Sequence, residues 1–134
     1  MIDSRTAPYA ALILRVSMGG LFLIHAGLKL FVFGPAGTEK FFAGLGLPGW
    51  FGLLIIALEL IGGIALIIGV LTRVFAILLA GDLAGAIALV HIHNGFFFTN
   101  HGGGWEYPAF WAIALIALAL LGPGALAWNP LSHS

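Results

Sequence analysis

The sequence predicts an all-α protein, a four-transmembrane-helix antiparallel bundle. Three observations carry this expectation. Hydrophobic residues make up 61% of the 134 positions and charged residues only 7%, where soluble domains carry about 25% charge. Such a chain cannot cover a water-facing surface with polar groups. Four apolar stretches come near the roughly 20 residues that one spanning helix needs. The segments between them are short and rich in Gly and Pro, and the 20 glycines of the chain suit helices packed closely in lipid.

The elements follow in order. The first helix is expected over about 9–33, where Gly34-Pro35-Ala36-Gly37 stops it. Its length, its internal Arg15, His25 and Lys29, and the lack of a small-x-small cleavage site make it a retained helix, not a signal peptide. Gly46-Leu47-Pro48-Gly49 precedes the second helix, about 50–70. Leu71-Thr72-Arg73 leaves room only for a tight antiparallel turn into the third, about 74–91. Asn94-Gly95 and His101-Gly102-Gly103-Gly104 make a flexible loop, and Pro108 suits the first turn of a fourth helix, about 108–128. One membrane domain over 1–134 accounts for the chain. Both termini are expected on the cytoplasmic side, which places Arg5, Arg15 and Arg73 inside and Lys29 and Lys40 outside.

Composition excludes several classes of function. Five basic residues balance five acidic ones, so no electrostatic footprint for nucleic acid exists. Cysteine is absent, which removes disulfides, thiolate catalysis and Cys-based zinc or iron–sulfur sites. No phosphate-binding loop, nucleophile elbow or dinucleotide fingerprint occurs.

Ionisable residues at hydrocarbon depth are therefore the informative ones, because each costs several kcal/mol, on the order of 3 by insertion scales, unless paired or hydrated. Arg15, Glu59 and Asp82 fall at overlapping depths in antiparallel helices, which predicts a buried cluster of one cation with two carboxylates. Small residues share their faces: Gly19 with Arg15, Gly52 and Gly63 with Glu59, Gly81 and Gly85 around Asp82. Such a cluster would hold the bundle together as a packing network, pass protons or line a substrate path.

A second constellation lies toward the opposite surface. His25 and Lys29 share a helical face, and His91, His93, His101 and Glu106 come from the end of the third helix and the following loop. Such a set could relay protons, hydrogen-bond a quinone carbonyl or simply be wet. Its spacings match no strong metal signature, so no metal site is predicted, and a quinone is favoured over haem or metal as cofactor. Trp105 and Phe96-Phe97-Phe98 mark the same end as aromatic-rich, which suits a flat lipophilic ring.

Three blocks resemble the DoxX family of small four-helix membrane proteins, the wider group that includes the DoxD subunit of thiosulfate:quinone oxidoreductase. They read "RVSMGGLFLIHAGLKL" from Arg15, "ELIGGIALIIGVLTR" from Glu59 and "HNGFFFTNHGGGWEYP" from His93. The resemblance implies a polytopic protein of the bacterial cytoplasmic membrane and, for part of the family, association with sulfur-compound or quinone redox chemistry. Without cysteine the chain cannot carry sulfur on a thiol, so a partner or a non-covalent site would have to supply that step. The leading expectation is a membrane subunit of a redox complex contacting the quinone pool. His25 and His91 would be ring partners, Glu106 an acceptor near the mouth and Lys29 an attractor of anions; His93, His101 and Trp105 are weaker members. A scaffolding subunit and a small proton-coupled transporter or channel are the alternatives. The expected partners are the lipid bilayer, other membrane or redox subunits and further copies of the chain, with no nucleic acid.

Overall fold

A computed structural model of the protein describes residues 1–128, so positions 129–134 of the single domain expected over 1–134 lie outside the described residues. All regular structure among the described residues is helical. Helix α1 (Ala7–Gly27) continues through a π-helical turn (Leu28–Val32) into a short α2 (Gly34–Gly44). Helices α3 (Trp50–Ile68) and α4 (Thr72–Leu89) follow, then a 3₁₀ turn (His91–Asn94) and α5 (Glu106–Leu121). Three segments are long and apolar enough to cross a membrane: α1 with its π turn, α3 and α4. At 16 residues α5 is shorter than the expected fourth span. It begins two positions before Pro108 and stops at Gly122, whose φ of +88° takes the chain out of the helix before Trp128.

The sequence signals explain most boundaries. Pro8 occupies the first turn of α1, where a missing N–H costs nothing. Helix α3 ends on Gly69 at φ +84°, and the N–H groups of Gly69 and Val70 both donate to the Ala65 carbonyl, a left-handed C-terminal cap. Helix α2 corrects the expectation of a plain stop at 34–37. Pro35 ends the first helix and also starts the second, since proline suits a first helical turn as well as a break.

Two helix pairs dominate the packing. Helices α1 and α3 run antiparallel: Arg15 meets Leu66 and Ile67, Gly19 meets Gly63, and Lys29 meets Glu59. A Cβ on Gly19 would sit 2.6 Å from the Gly63 carbonyl oxygen, and one on Gly63 would sit 2.9 Å from that of Gly19. The two backbones touch there, as small residues allow in membranes. Helices α4 and α5 form the second pair, tied at one end by Arg73 to the Ala119 and Leu120 carbonyls. Phe22, Leu66, Leu79, Trp111 and Leu115 form the core between the pairs. The expected close approach at Gly81 and Gly85 is not there. A Cβ on either would meet nothing within 4 Å, whereas Gly62 presses on Leu79 at 3.0 Å. Outward faces carrying Ile13, Ile24, Ile61, Ile64 and Ile113 remain exposed, as lipid contact requires.

Candidate functional site

Helix rise sets the depth of the polar residues. Nine residues separate Glu59 from the end of α3 and ten separate Asp82 from the start of α4, about 14–15 Å in each case. Both therefore lie near mid-depth. There the Lys29 Nζ meets Glu59 Oε1 at 2.6 Å, with the lysine side chain 23% exposed and the glutamate side chain 5%. Asp82 lies beside Glu59, close enough for their carboxyl groups to interact, and Lys29 acts on both. His25, one turn before Lys29, sits within electrostatic reach of Lys29 and Glu59. One ammonium thus pairs with the carboxylate of α3, and the carboxyl group of α4 lies within its electrostatic reach.

The expected trio of Arg15, Glu59 and Asp82 is split. Arg15 is fully buried, but its Nη1 donates to the Leu66 and Ile67 carbonyls at 3.3 Å each and its Nη2 donates to the Ala125 carbonyl. The last carbonyls of a helix have no intrahelical partner and carry the negative end of its dipole. That site, about two turns beyond Glu59 on α3, captured the guanidinium. Lys29, assigned from sequence to the outer constellation, supplies the carboxylates' cation instead. Its side chain reaches back toward the helix N-terminus, as helical side chains do.

The outer constellation also divides. His25 stays with the mid-depth layer. His91, in the 3₁₀ turn, pairs its Nδ1 with the Gly103 carbonyl at 2.8 Å, and Asn94 Nδ2 donates to the same oxygen. His93 and His101 are exposed. The 3₁₀ turn explains why His91 and His93 do not point together: residues two apart are about 240° apart around such a helix. Glu106 and Trp105 open α5, where the Glu106 N–H donates to the Phe96 carbonyl and the Trp105 ring stands edge-on to Phe96 at 4.8 Å. Among the described residues no group of three or more His, Cys, Asp or Glu is arranged to hold a metal ion.

An open, largely apolar recess of about 280 Å³ adjoins the layer, lined by Ile24, His25, Gly27, Leu28 and Val32. It lies against the π turn, a feature often found at functional sites. Behind it the His25 ring packs on Trp111 at 5.0 Å, and Trp111 packs on Phe22 at 4.5 Å. Trp111 is 4% exposed, and its buried Nε1 has no hydrogen-bond partner. Sequence reasoning missed this residue. It lies within α5 among apolar residues, where a tryptophan reads as ordinary core.

A family model for DoxX matches residues 10–92. The chain belongs to the DoxX family. The matched region runs from α1 into the 3₁₀ turn and takes in His25, Lys29, Glu59 and Asp82; Trp111 and α5 lie beyond it. The Bacillus subtilis (strain 168) protein named "Putative oxidoreductase CatD" is 39% identical over 119 residues, 89% of this chain and 84% of that one. "Inner membrane protein YqjF" of Escherichia coli (strain K12) is 33% identical over 119 residues, 85% of each chain. No solved structure matches the chain significantly. With its long apolar helices, this DoxX-family member is a multi-pass bacterial membrane protein in contact with the lipid bilayer.

Proposed function

We propose that this protein is an integral component of a redox system in the bacterial cytoplasmic membrane and that it exchanges protons with the quinone pool. In this reading α5 is a fourth span, the four long helices form an antiparallel bundle, and both termini are cytoplasmic. The observation that carries it is the recess beside His25, open to the hydrocarbon and backed by the Lys29–Glu59–Asp82 layer. A quinone head group is apolar apart from two carbonyl oxygens, and it reaches a protein laterally through the bilayer. His25 would hydrogen-bond one such oxygen. The unpartnered Trp111 Nε1 would donate to the ligand once the His25 ring turns aside. Reduction of a quinone to a quinol takes two electrons and two protons. The electrons would come from a donor subunit, and the protons would pass through the carboxyl groups around Lys29. The name of the relative CatD supports a redox setting. His91 and Glu106 do not line the recess and are left as groups near its outer side.

The test is a photoreactive short-chain quinone analogue applied to the protein in liposomes. Saturable crosslinking to the segment Ile24–Val32, lost in His25→Ala, is expected. Crosslinking spread evenly over the lipid-facing helices would refute the reading. Proton flux without any donor, abolished by Glu59→Gln, would favour the transporter alternative. A partner complex that stays fully active with both His25 and Lys29 replaced would favour scaffolding.

A further inference from the structure

Helix α2 has no place in the mechanism above, yet one of its side chains reaches the site. We infer that Thr38 is a positioning residue: its hydroxyl holds the π turn in the register that presents Lys29 to Glu59. A π turn carries about one residue more than an α-helical turn and is rare, occurring mostly as a single turn within an α-helix. If the turn relaxed to α, the residues after it would rotate by about 100° relative to α1; Lys29, inside the turn, would rotate by part of that, which would draw its ammonium off Glu59. The hydrogen-bond ladder also runs out at this point. The Phe33 N–H donates to the Leu28 carbonyl across the π turn at 3.0 Å. The next N–H belongs to Gly34, whose φ of +77° turns the chain away, and Pro35 has none.

Thr38 closes this gap. Its Oγ1 lies 3.1 Å from the Lys29 carbonyl and 3.0 Å from the Gly34 carbonyl, so its single proton is shared between acceptors on the two sides of the break. The side chain is held from behind. Thr38 is 3% exposed, and a Cβ on Gly52 of α3 would lie 3.0 Å from its methyl carbon and 3.2 Å from its carbonyl oxygen. The methyl group is thus seated on α3 while the hydroxyl bonds to the end of α1. The inference rests on the reading of the Lys29–Glu59 pair as the working part of the site, but not on what the recess binds.

Acylation of the full-length protein in bicelles by a membrane-permeant succinimidyl ester tests it. Mass spectrometry would read the ratio of modified Lys29 to modified Lys40, the latter exposed on α2 and serving as internal reference. Thr38→Val and Thr38→Ala should raise the ratio about two- to tenfold, the span set by losing one ordinary hydrogen bond. Thr38→Ser should keep the wild-type ratio. Phe42→Ala loosens the α2–α3 contact near Gly52 without touching the hydroxyl and should also leave the ratio unchanged. An unchanged ratio in both hydroxyl-deleting variants overturns the inference. An equal rise in Phe42→Ala overturns it as well, since packing of α2 would then be the cause. Because labelling needs no quinone, failure here is distinct from failure of the quinone reading.

Discussion

Arg15→Ala separates the two places to which its guanidinium could have gone. The side chain is fully buried and serves three backbone carbonyls, those of Leu66, Ile67 and Ala125. A polar contact between membrane helices contributes about 0.6 kcal/mol on average, which gives about 2 kcal/mol for three. The cavity left by the missing side chain adds to this, and release of an Nε without partner subtracts from it. A net loss of about 2–4 kcal/mol is expected. Reversible unfolding in mixed micelles, followed by circular dichroism, would measure it. The double variant with Glu59→Gln then tests the location. Leu66 lies seven positions beyond Glu59 on α3, about 10 Å of helix rise, and sites that far apart add within about 0.5 kcal/mol. A coupling above about 1 kcal/mol would mean that Arg15 pairs with the carboxylates after all; a single-variant loss below that value would mean that the three carbonyl contacts do not hold the guanidinium.

Further outcomes follow from the same geometry. Glu59→Gln removes the carboxylate paired with Lys29 and leaves Asp82 within electrostatic reach of the ammonium. A loss of about 1–3 kcal/mol in the same unfolding assay is expected, below the figure for a fully buried pair because Asp82 stands in. Gly63→Ala drives a methyl group into the Gly19 carbonyl, which should cost about 1–3 kcal/mol; Gly81→Ala meets open space and should be neutral or stabilising by up to about 1 kcal/mol. Gly27→Leu places a side chain where a Cβ meets nothing within 4 Å, in the wall of the recess. It should fold normally and lose saturable quinone binding. Trp111→Phe removes the unpartnered Nε1 together with part of a buried ring; a loss of about 1–3 kcal/mol in the unfolding assay is expected, while quinone affinity, measured by titration in liposomes, falls about two- to tenfold.

The legible part of the fold was the part written in hydropathy. The all-helical class, three membrane-crossing segments and most breaks follow from apolar runs and from Gly and Pro between them. The α2 helix was not legible because Gly34-Pro35 reads equally well as an end and as a beginning, and Thr38-Glu39-Lys40 is too polar to register as a span. At the site, depth arithmetic placed Glu59 and Asp82 together but gave them the wrong cation. Depth alone cannot weigh the orphan carbonyls at the end of α3, which compete for any guanidinium within reach. The π turn was equally hidden. It shifts by one residue the register of the chain that follows Val32 and carries Lys29 within it, and no residue type marks it in the sequence.

Two basic residues of one helix thus have separate duties, decided by the direction in which each side chain can reach. Arg15, with a planar fork of donors, is suited to several carbonyls at once. It ties the end of α3 and the segment after α5 to α1, where the Ala125 N–H also donates to the Pro8 carbonyl. Lys29, a compact charge on a flexible stem, meets a single carboxylate oxygen at 2.6 Å and can leave it without dismantling a backbone cap. The close contact of Gly19 with Gly63 lies between them and sets the register of both. The rigid end of the helix pair is therefore the one closed by arginine. The end free to change carries the π turn, the recess and the lysine.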